Sequence, residues 1–359
     1  MYIDYLKKLF HGKKICIFPM GIAGKSLYDK LESIGIRTDF FCDNNPQKYG
    51  SGYKGCFCIT KKELAAINKD TIIIVESLYY REIKKQLTDE GFCNIERIFF
   101  EKINGEKYIV LNKDEFDNKR DSVCKILADT KSVKVYQKVL NAYEDTSLKD
   151  DYFSDIYDKN QYFDNELIKL IDDEVFVDLG AYTGDSAAKF IEMSNGVFEK
   201  LHLFELDPNI YKRLMLNVAG LYEKTKNGII QCYPYGVSDV DEDIEFYAGD
   251  SSSKIIKSID KGVETITGKV KKLDEILKGE KVTFIKADIE GAELSALNGA
   301  KDIICSQKPI LAFCIYHSIQ DTLDIPIWIY ELGLEYKIYI RHYTDMFLET
   351  VCYAIPKWR

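Results

Sequence analysis

The chain has 359 residues, of which 46% are hydrophobic and 30% charged, and its 49 basic and 58 acidic residues give a net charge of −9. This length and composition predict a globular protein with two domains, or one domain with an extension. The acidic balance argues against a general nucleic-acid binder, because phosphate neutralisation needs clustered lysine and arginine. No apolar run approaches the roughly 20 residues of a membrane span, and the apolar stretch near the amino terminus is too short for a signal peptide.

The ten cysteines show neither a metal-binding pattern nor a disulfide framework. Several lie inside apolar runs such as KICIF and ILAFCIY, and no CxxC pair recurs at the spacing of a zinc site. Cys56 and Cys58 form an isolated CxC, which is weak evidence for a metal site on its own. We expect free thiols in a reducing, cytoplasmic compartment.

Residues 1–102 are predicted to form a first Rossmann-like domain. Residues 12–46 read as an apolar strand, a glycine-containing turn, an amphipathic helix and a second strand. The run PMGIAGKS lacks the first glycine of a phosphate-binding P-loop. Gly21, Gly24 and Asp43 stand instead where a Rossmann domain contacts a nucleotide.

This first segment resembles the small nucleotide- or sugar-nucleotide-binding domains that precede some sugar-modifying enzymes. Two interpretations stay open: it binds a nucleotide-linked acceptor, or it is a docking module. Residues 103–165 follow as a polar, mostly helical connector, because their apolar residues recur at about 3.6 residues.

Residues 166–359 are predicted to form a second domain that opens like the first one. The runs EVFVDLG and KLHLFEL flank a turn and a helix, and six further strand-like runs follow, the last of them expected to be antiparallel. We therefore predict an α/β chain with two Rossmann-like doubly wound domains in series, which bind ligands beyond the carboxyl ends of their strands.

The turn of the second domain carries two carboxylates, Asp178 at the end of the strand and Asp185 at the start of the helix. In a dinucleotide site this turn approaches a pyrophosphate, which two carboxylates would repel. They suit a ligand with positive charge and no phosphate, such as S-adenosylmethionine with its sulfonium and amino groups. Glu205 closes the next strand, where a carboxylate accepts hydrogen bonds from ribose hydroxyls. Asp207 is read either as a ligand contact or as the Asp-Pro turn that opens a helix.

A resemblance to a known family covers somewhat over half of the chain. Seven stretches between residues 160 and 359 resemble, in the same order, the FkbM family of S-adenosylmethionine-dependent methyltransferases: QYFDNELIKLIDDEVFVDLGAYTGDSAAKF, FELDP, YGVSD, SSSKI, FIKADIEGAELSALNGA, KPILAFCIYH and YKIYIRHYTDMFLETVCYAIP. The resemblance implies a class I methyltransferase fold with antiparallel late strands, and S-adenosylmethionine as cofactor. It also implies a hydroxyl acceptor on a sugar, glycan or glycosylated natural product.

The resemblance assigns a set of residues to the cofactor. They are Asp178, Gly180, Ala181, Tyr182, Gly184, Asp185, Glu205, Val237 and Ser238. Many methyltransferases have glycine where Tyr182 stands; this departure is common in the family, and the ring is expected to pack on the methionine end of the cofactor. Glu205 takes the ribose role, and Val237 and Ser238 lie where the adenine edge is contacted.

Methyl transfer to a hydroxyl needs a base near the acceptor oxygen. His317 ends an apolar strand and should emerge at its carboxyl end, so it is our first choice for the base, and Asp288 at the end of another strand is the alternative. Asp288, Glu290 and Glu293 would also suit a divalent metal. A turn at Gly291 and a favourable acidic residue at the start of a helix explain the same residues, and we expect no metal.

The acceptor contacts are predicted from polar residues of the second domain: Ser252 in a serine-rich loop, and Arg341 and His342 in a late strand. Two other functions stay open. One is an NAD(P)-dependent oxidoreductase using the first domain, although no proton-relay set is evident there. The other is a non-catalytic nucleotide-sugar-binding protein, which the intact cofactor motif argues against. The expected partner is a small-molecule or glycan acceptor, and a homo-oligomer is left open.

Overall fold

The computed structural model describes residues 2–77, 79–145, 148, 151–164, 166–247 and 265–359. The chain divides into two compact units, which are Met1–Lys107 with Ala142–Asp150, and Tyr108–Asn141 with Asp151–Arg359. The segment 103–165, which we predicted to be a separate connector, is thus shared between the units. In the part of the chain that the structure describes, we find no helix with the length and apolar character needed to span a membrane.

The first unit is built around a six-stranded sheet. Its elements are α1 (Tyr2–Phe10), β1 (Lys14–Phe18), α2 (Ile22–Ser33), β2 (Phe40–Cys42), β3 (Gly52–Tyr53), β4 (Cys56–Ile59), α3 (Lys61–Ala66), β5 (Thr71–Val75), α4 (Tyr80–Asp89), β6 (Ile95–Glu96) and the start of α5 (Glu101–Leu111). The strand order is β3-β4-β2-β1-β5-β6, and only the β3–β4 pair is antiparallel. The carboxyl ends of β1 and β2 therefore share one edge of the sheet.

The apolar runs of this unit are explained by a sheet that is covered on both faces. In β1, Ile15 and Ile17 belong to one hydrophobic core, whereas Cys16 and Phe18 belong to another. Successive side chains of a strand point to opposite faces, so a strand that is buried on both sides needs a continuous apolar sequence.

The second unit contains a seven-stranded sheet and a separate three-stranded sheet. Its elements are α6 (Lys113–Ile126), most of α7 (Thr130–Glu144), β7 (Val175–Leu179), α8 (Asp185–Met193), β8 (Lys200–Phe204), α9 (Pro208–Glu223), β9 (Ile229–Tyr233), β10 (Gly236–Val237), β11 (Glu242–Tyr247), β12 (Thr265–Lys271), α10 (Leu273–Ile276), β13 (Phe284–Ala287), α11 (Glu293–Gly299), α12 (Lys301–Gln307), β14 (Ile310–Cys314), α13 (Ile319–Glu331), β15 (Lys337–His342) and β16 (Thr350–Ile355). The large sheet has the order β15-β16-β14-β13-β7-β8-β9, and the small one β10-β12-β11.

The direction of the late strands confirms the predicted fold class. β7, β8, β9, β13 and β14 are mutually parallel, and β16 runs antiparallel to both of its neighbours. No strand was predicted for β12. The apolar run GIIQCYPYGV, predicted as a single strand, divides into β9 and β10, which belong to different sheets. Phe176 of β7 packs against both a helix and a neighbouring strand: its ring centroid lies 4.7 Å from that of Phe190 in α8 and 4.9 Å from that of Phe284 in β13.

Candidate active site

The candidate site lies where β7, β8, β13 and β14 end at the carboxyl edge of the large sheet. In this region Asp178 is fully buried, and its Oδ1 lies 2.8 Å from Nζ of the buried Lys286 on the neighbouring strand. Burial raises the pKa of Asp178 to about 6, and the charge of Lys286 opposes that rise. Lys286 supplies a positive charge beside Asp178, so the burial of this carboxylate does not by itself require a cationic ligand, and the ligand role of Asp178 stays a prediction. Two strands that are far apart in sequence bring this pair together.

The turn after β7 needs glycine for a steric reason. Gly180 has a φ of +78°, and a Cβ there would lie only 2.0 Å from the backbone oxygen of Asp288. Its amide and that of Ala181 both donate to the carbonyl of Phe204, at 3.1 and 2.9 Å. The turn then passes through Gly184, with a φ of +93°, into α8, whose first residue is Asp185. The predicted turn is thus tied to the end of β8.

Glu205 follows β8 and organises the same edge. Its Oε2 accepts a hydrogen bond from the amide of Tyr182 at 3.0 Å, and its Oε1 accepts one from the amide of Asp207 at 2.8 Å. Burial raises the pKa of this carboxyl to about 7, although the two amide hydrogen bonds lower it. Each oxygen retains a second lone pair for another donor.

Asp207 has the helix-opening role that the sequence left as one of two interpretations. Its Oδ1 accepts hydrogen bonds from the amides of Asn209 and Ile210, at 2.7 and 3.3 Å, so it caps α9. Pro208 occupies the first position of the helix, where its missing N–H costs nothing.

Val237 and Ser238 lie beside this edge in the small sheet. Val237 is buried at the end of β10, and the amide of Ser238 donates to the carbonyl of Lys271 at 3.0 Å. A Cβ on the preceding Gly236 would lie 3.4 Å from Cδ1 of Leu206, the residue after Glu205. The structure therefore brings the predicted adenine segment next to the predicted ribose residue.

Asp288 lies at the centre of a polar cluster. Its backbone amide donates to the carbonyl of Leu179, while Tyr162 and Tyr316 donate hydroxyl hydrogen bonds to its carboxylate, at 2.8 and 3.0 Å. Burial alone would raise the pKa of Asp288, but Lys286, His317 and the two hydroxyls hold it below its usual value. Asp288 is therefore a stable carboxylate at neutral pH.

His317 is surrounded by carboxylates. Its Nδ1 lies 3.1 Å from Oε1 of Glu293, and its Nε2 lies 3.4 Å from Oδ1 of Asp288 and 3.8 Å from Oε2 of Glu290. Burial opposes protonation, but the carboxylates outweigh it and raise the pKa of His317 to about 9. In this arrangement the imidazole already holds a proton at neutral pH, which argues against its predicted role as the base.

Glu349, which lies between β15 and β16, was not predicted from the sequence. Its carboxylate accepts a hydrogen bond from Gln161, and its Oε1 lies 3.5 Å from the hydroxyl of Tyr316. Burial raises the pKa of Glu349 to about 7, and the nearby charge of Asp288 adds to the rise. An acidic residue just before an apolar strand is the only sequence signal for it, and many surface residues share that signal.

Two of the predicted acceptor residues are corrected by the structure. Arg341 is buried and its guanidinium bonds to Asp129, at 2.8 Å, and to Ser132. His342 is fully buried with its Nδ1 2.9 Å from Oγ1 of Thr350, and burial lowers its pKa to about 4. Neither side chain is accessible to an acceptor, because Asp129 and Ser132 cover Arg341 and the ring of Phe153 packs 4.9 Å from that of His342. Ser252 lies outside the described residues.

The predicted residues of the first unit meet at the carboxyl ends of β1 and β2. A Cβ on Gly24 would lie 2.1 Å from the carbonyl oxygen of Pro19, so this glycine permits α2 to pack closely on the turn. Asp43 is already engaged, with its Oδ2 2.7 Å from Nζ of Lys48 and its Oδ1 accepting the amide of Asn45 at 2.9 Å. The ligand role of these residues stays a prediction.

In the seven-stranded sheet of the second unit, the last strand, β16, lies between β14 and β15 and runs antiparallel to both, which defines a class I methyltransferase fold. Residues 178–336 match the family described as the Methyltransferase FkbM domain, which confirms the predicted resemblance for this part of the chain. Residues 11–99 match a second family, described as C2185-like, N-terminal. No curated protein matches the chain.

One solved structure shows the same fold. The methyltransferase FkbM from Methylobacillus flagellatus KT superposes with a TM-score of 0.72 at 22% identity, over 97% of this chain and 92% of that one. Two others give TM-scores of 0.31. A Streptococcus mutans protein assigned as a methyltransferase, in complex with SAH, is 11% identical over 57% of this chain and 94% of its own. An rRNA methylase from Streptococcus thermophilus is 12% identical over 52% of this chain and 91% of its own.

Proposed function

We propose that this protein is a cytoplasmic, S-adenosylmethionine-dependent O-methyltransferase that acts on a hydroxyl of a sugar, glycan or glycosylated natural product. The observation that carries the proposal is the arrangement of Glu205 against the turn at 180–184. The match of residues 178–336 to the FkbM domain supports methyl transfer, and the acceptor class is what the resemblance to this family implies. The ten cysteines, all of them described as free thiols, are consistent with a reducing compartment.

The cofactor would be held by the residues of this edge. The remaining lone pairs of Glu205 suit two ribose hydroxyls. Gly180 lets the turn pack directly against the backbone of Asp288, which holds the turn at the carboxyl edge of the sheet. The segment of Val237 and Ser238 would border the adenine. When bound, S-adenosylmethionine supplies an electrophilic methyl group on a positively charged sulfur.

The acceptor hydroxyl must lose a proton during the transfer. Asp288 has a lowered pKa, so it stays an anion that can accept a hydrogen bond from the acceptor hydroxyl and orient it. Glu349, with a pKa of about 7, is suited to accept a proton at neutral pH. The hydroxyl of Tyr316 donates to Asp288 and lies near Glu349. We infer that Asp288 positions the acceptor and that Glu349 takes the proton, directly or through Tyr316.

Calorimetric titration of S-adenosylmethionine tests the proposal, with NAD as the competing ligand. We expect wild-type protein to bind S-adenosylmethionine and not NAD. Glu205→Ala should weaken binding by at least about tenfold, because hydrogen bonds to a buried carboxylate are each worth roughly 1.5–3 kcal/mol. Glu223→Ala, which changes an exposed glutamate at the end of α9, is the matched control.

Circular dichroism must show that Glu205→Ala is folded, since Glu205 also holds two backbone amides. Glu205→Gln, which keeps one acceptor oxygen, should have an intermediate affinity. Failure of the folded wild-type protein to bind S-adenosylmethionine, or tighter binding of NAD, would overturn the proposed function.

A further inference from the structure

Three ligand atoms converge at the carboxyl ends of β13 and β14. Asp288, Glu293 and His317 each offer one oxygen or nitrogen, and these atoms all lie within 4.8 Å of one another. Bonds from a divalent cation to oxygen or nitrogen are about 2.0–2.5 Å long, so two atoms that bind the same ion lie within about 5 Å of each other. The spacing therefore fits a single cation.

Three polar atoms of this cluster lack a hydrogen bond of regular geometry among the described residues. Glu293 is fully buried, and its Oε2 has no hydrogen-bond partner among the described residues. The side chain of His317 is 92% buried, and neither ring nitrogen makes a hydrogen bond of regular geometry within the described part of the chain, although carboxylates face both. Buried polar atoms normally have a hydrogen-bond partner, so the lack of one at these three atoms indicates that a ligand is missing.

The local structure fixes these side chains before any ligand arrives. Asp288 and His317 follow neighbouring parallel strands, β13 and β14, so the sheet brings them together. The amide of Ile289 donates to Oε1 of Glu293 at 2.8 Å, which turns this first residue of α11 inward. Gly291, with a φ of +95°, makes the tight turn between them, and a Cβ there would lie 3.7 Å from Cβ of His317.

The donor set selects a class of ion. Two carboxylates and one neutral imidazole suit Mn²⁺ or Mg²⁺, whereas soft metals prefer sites rich in thiolates. A bound cation would displace the proton that His317 holds without it. Oε2 of Glu290 lies 3.8 Å from Nε2 of His317 and adds negative charge. Three protein ligands also leave coordination positions for oxygen atoms from outside the protein.

We propose that Asp288, Glu293 and His317 bind one divalent cation of the Mg²⁺ or Mn²⁺ class, and that this cation positions the acceptor oxygen beside the methyl donor. The second half of this inference rests on the proposed function, whereas the metal site itself does not. It replaces our expectation from the sequence, which assigned these residues to a turn and a helix start without a metal.

Binding of Mn²⁺ alone to chelator-treated full-length protein tests the site. Electron paramagnetic resonance detects the free aqueous ion, whose signal falls as the ion binds. We expect one Mn²⁺ per chain, competed by excess Mg²⁺, and at least about tenfold weaker binding in His317→Gln and in Asp288→Asn, since each loses a ligand. Glu331→Gln, which changes an exposed residue at the end of α13, should bind like the wild type.

Glu293 is buried, so Glu293→Gln is first checked for a folding defect by thermal unfolding. If this variant does not fold, His317→Gln and Asp288→Asn are sufficient to test the site. Absence of Mn²⁺ binding by folded wild-type protein, or equal binding by His317→Gln and Asp288→Asn, would overturn the metal site and leave a charged histidine among carboxylates. A parallel titration with S-adenosylmethionine separates the two ideas. Cofactor binding without Mn²⁺ binding would refute only the metal site, and Mn²⁺ binding without cofactor binding only the proposed function.

Discussion

The two units of this protein present the same sequence pattern with different local electrostatics. Each has a buried strand, a glycine turn, a helix, and a second strand that ends beside a carboxylate, Asp43 in the first unit and Glu205 in the second. Asp43 is paired with the ammonium group of Lys48, whereas the oxygens of Glu205, among the described residues, accept hydrogen bonds from two backbone amides. A pattern therefore identifies the fold, and the partners of the carboxylate decide whether it has capacity for a ligand.

The largest expected effect comes from the lysines that pair with carboxylates in the two units. Lys286→Met leaves the fully buried Asp178 without its counter-charge, and we expect a loss of about 3–5 kcal/mol in the free energy of unfolding. Lys48→Met removes a partly exposed partner and should cost less than about 1 kcal/mol. Urea unfolding of each variant measures both values, and similar losses would break the comparison.

Substitution of a turn glycine should also cost more stability in the second unit than in the first. A Cβ on Gly180 would lie 2.0 Å from a backbone oxygen, whereas one on Gly21 would meet nothing within 4 Å. We expect Gly180→Ala to lower the free energy of unfolding by roughly 2–4 kcal/mol, and Gly21→Ala to change it by less than about 1 kcal/mol. Thermal unfolding of the pair distinguishes them, and a tolerated Gly180→Ala would contradict the described turn.

Glu205 should also make stability depend on pH. Its pKa is raised from 4.5 to about 7 in the folded protein, so its contribution is fully present below pH 4.5 and is lost as the pH rises to about 7. The stability difference between wild type and Glu205→Gln should thus change by roughly 1–3 kcal/mol across this window. Urea unfolding at pH 4.5, 5.5 and 7 measures it. A difference independent of pH would show that Glu205 is not buried as described.

The smallest expected effect is on cofactor affinity in the first unit. Asp43→Asn should leave the dissociation constant of S-adenosylmethionine within about twofold of the wild-type value, because Asp43 belongs to the other sheet. Calorimetry at constant salt measures it, beside Glu205→Ala. A large loss in Asp43→Asn would place the cofactor in the first unit and reverse the comparison.

The sequence predicted the parts of the fold that depend on local patterns. Apolar runs and glycine turns identified most strands of the two large sheets, whereas β12 of the small sheet was missed. Strands that end in a polar residue placed Glu205 and Asp288 at the carboxyl edge of their sheet. Contacts between strands that are distant along the chain could not be predicted from local patterns, and for this reason Lys286 and Glu349 were missed. Arg341 was misassigned for the same reason, because a charged residue in a late strand gives no sign that Asp129 and Ser132 cover it.

The central claim is that the cofactor binds at the sheet edge of the second unit that Glu205 organises. Hydrogen–deuterium exchange with and without S-adenosylmethionine tests this claim most directly. The account predicts increased protection of the amides around residues 178–186 and 203–210, with no change at 18–26 or 41–48. Protection confined to the segments of the first unit, with none around Glu205, would contradict the assignment of the cofactor site.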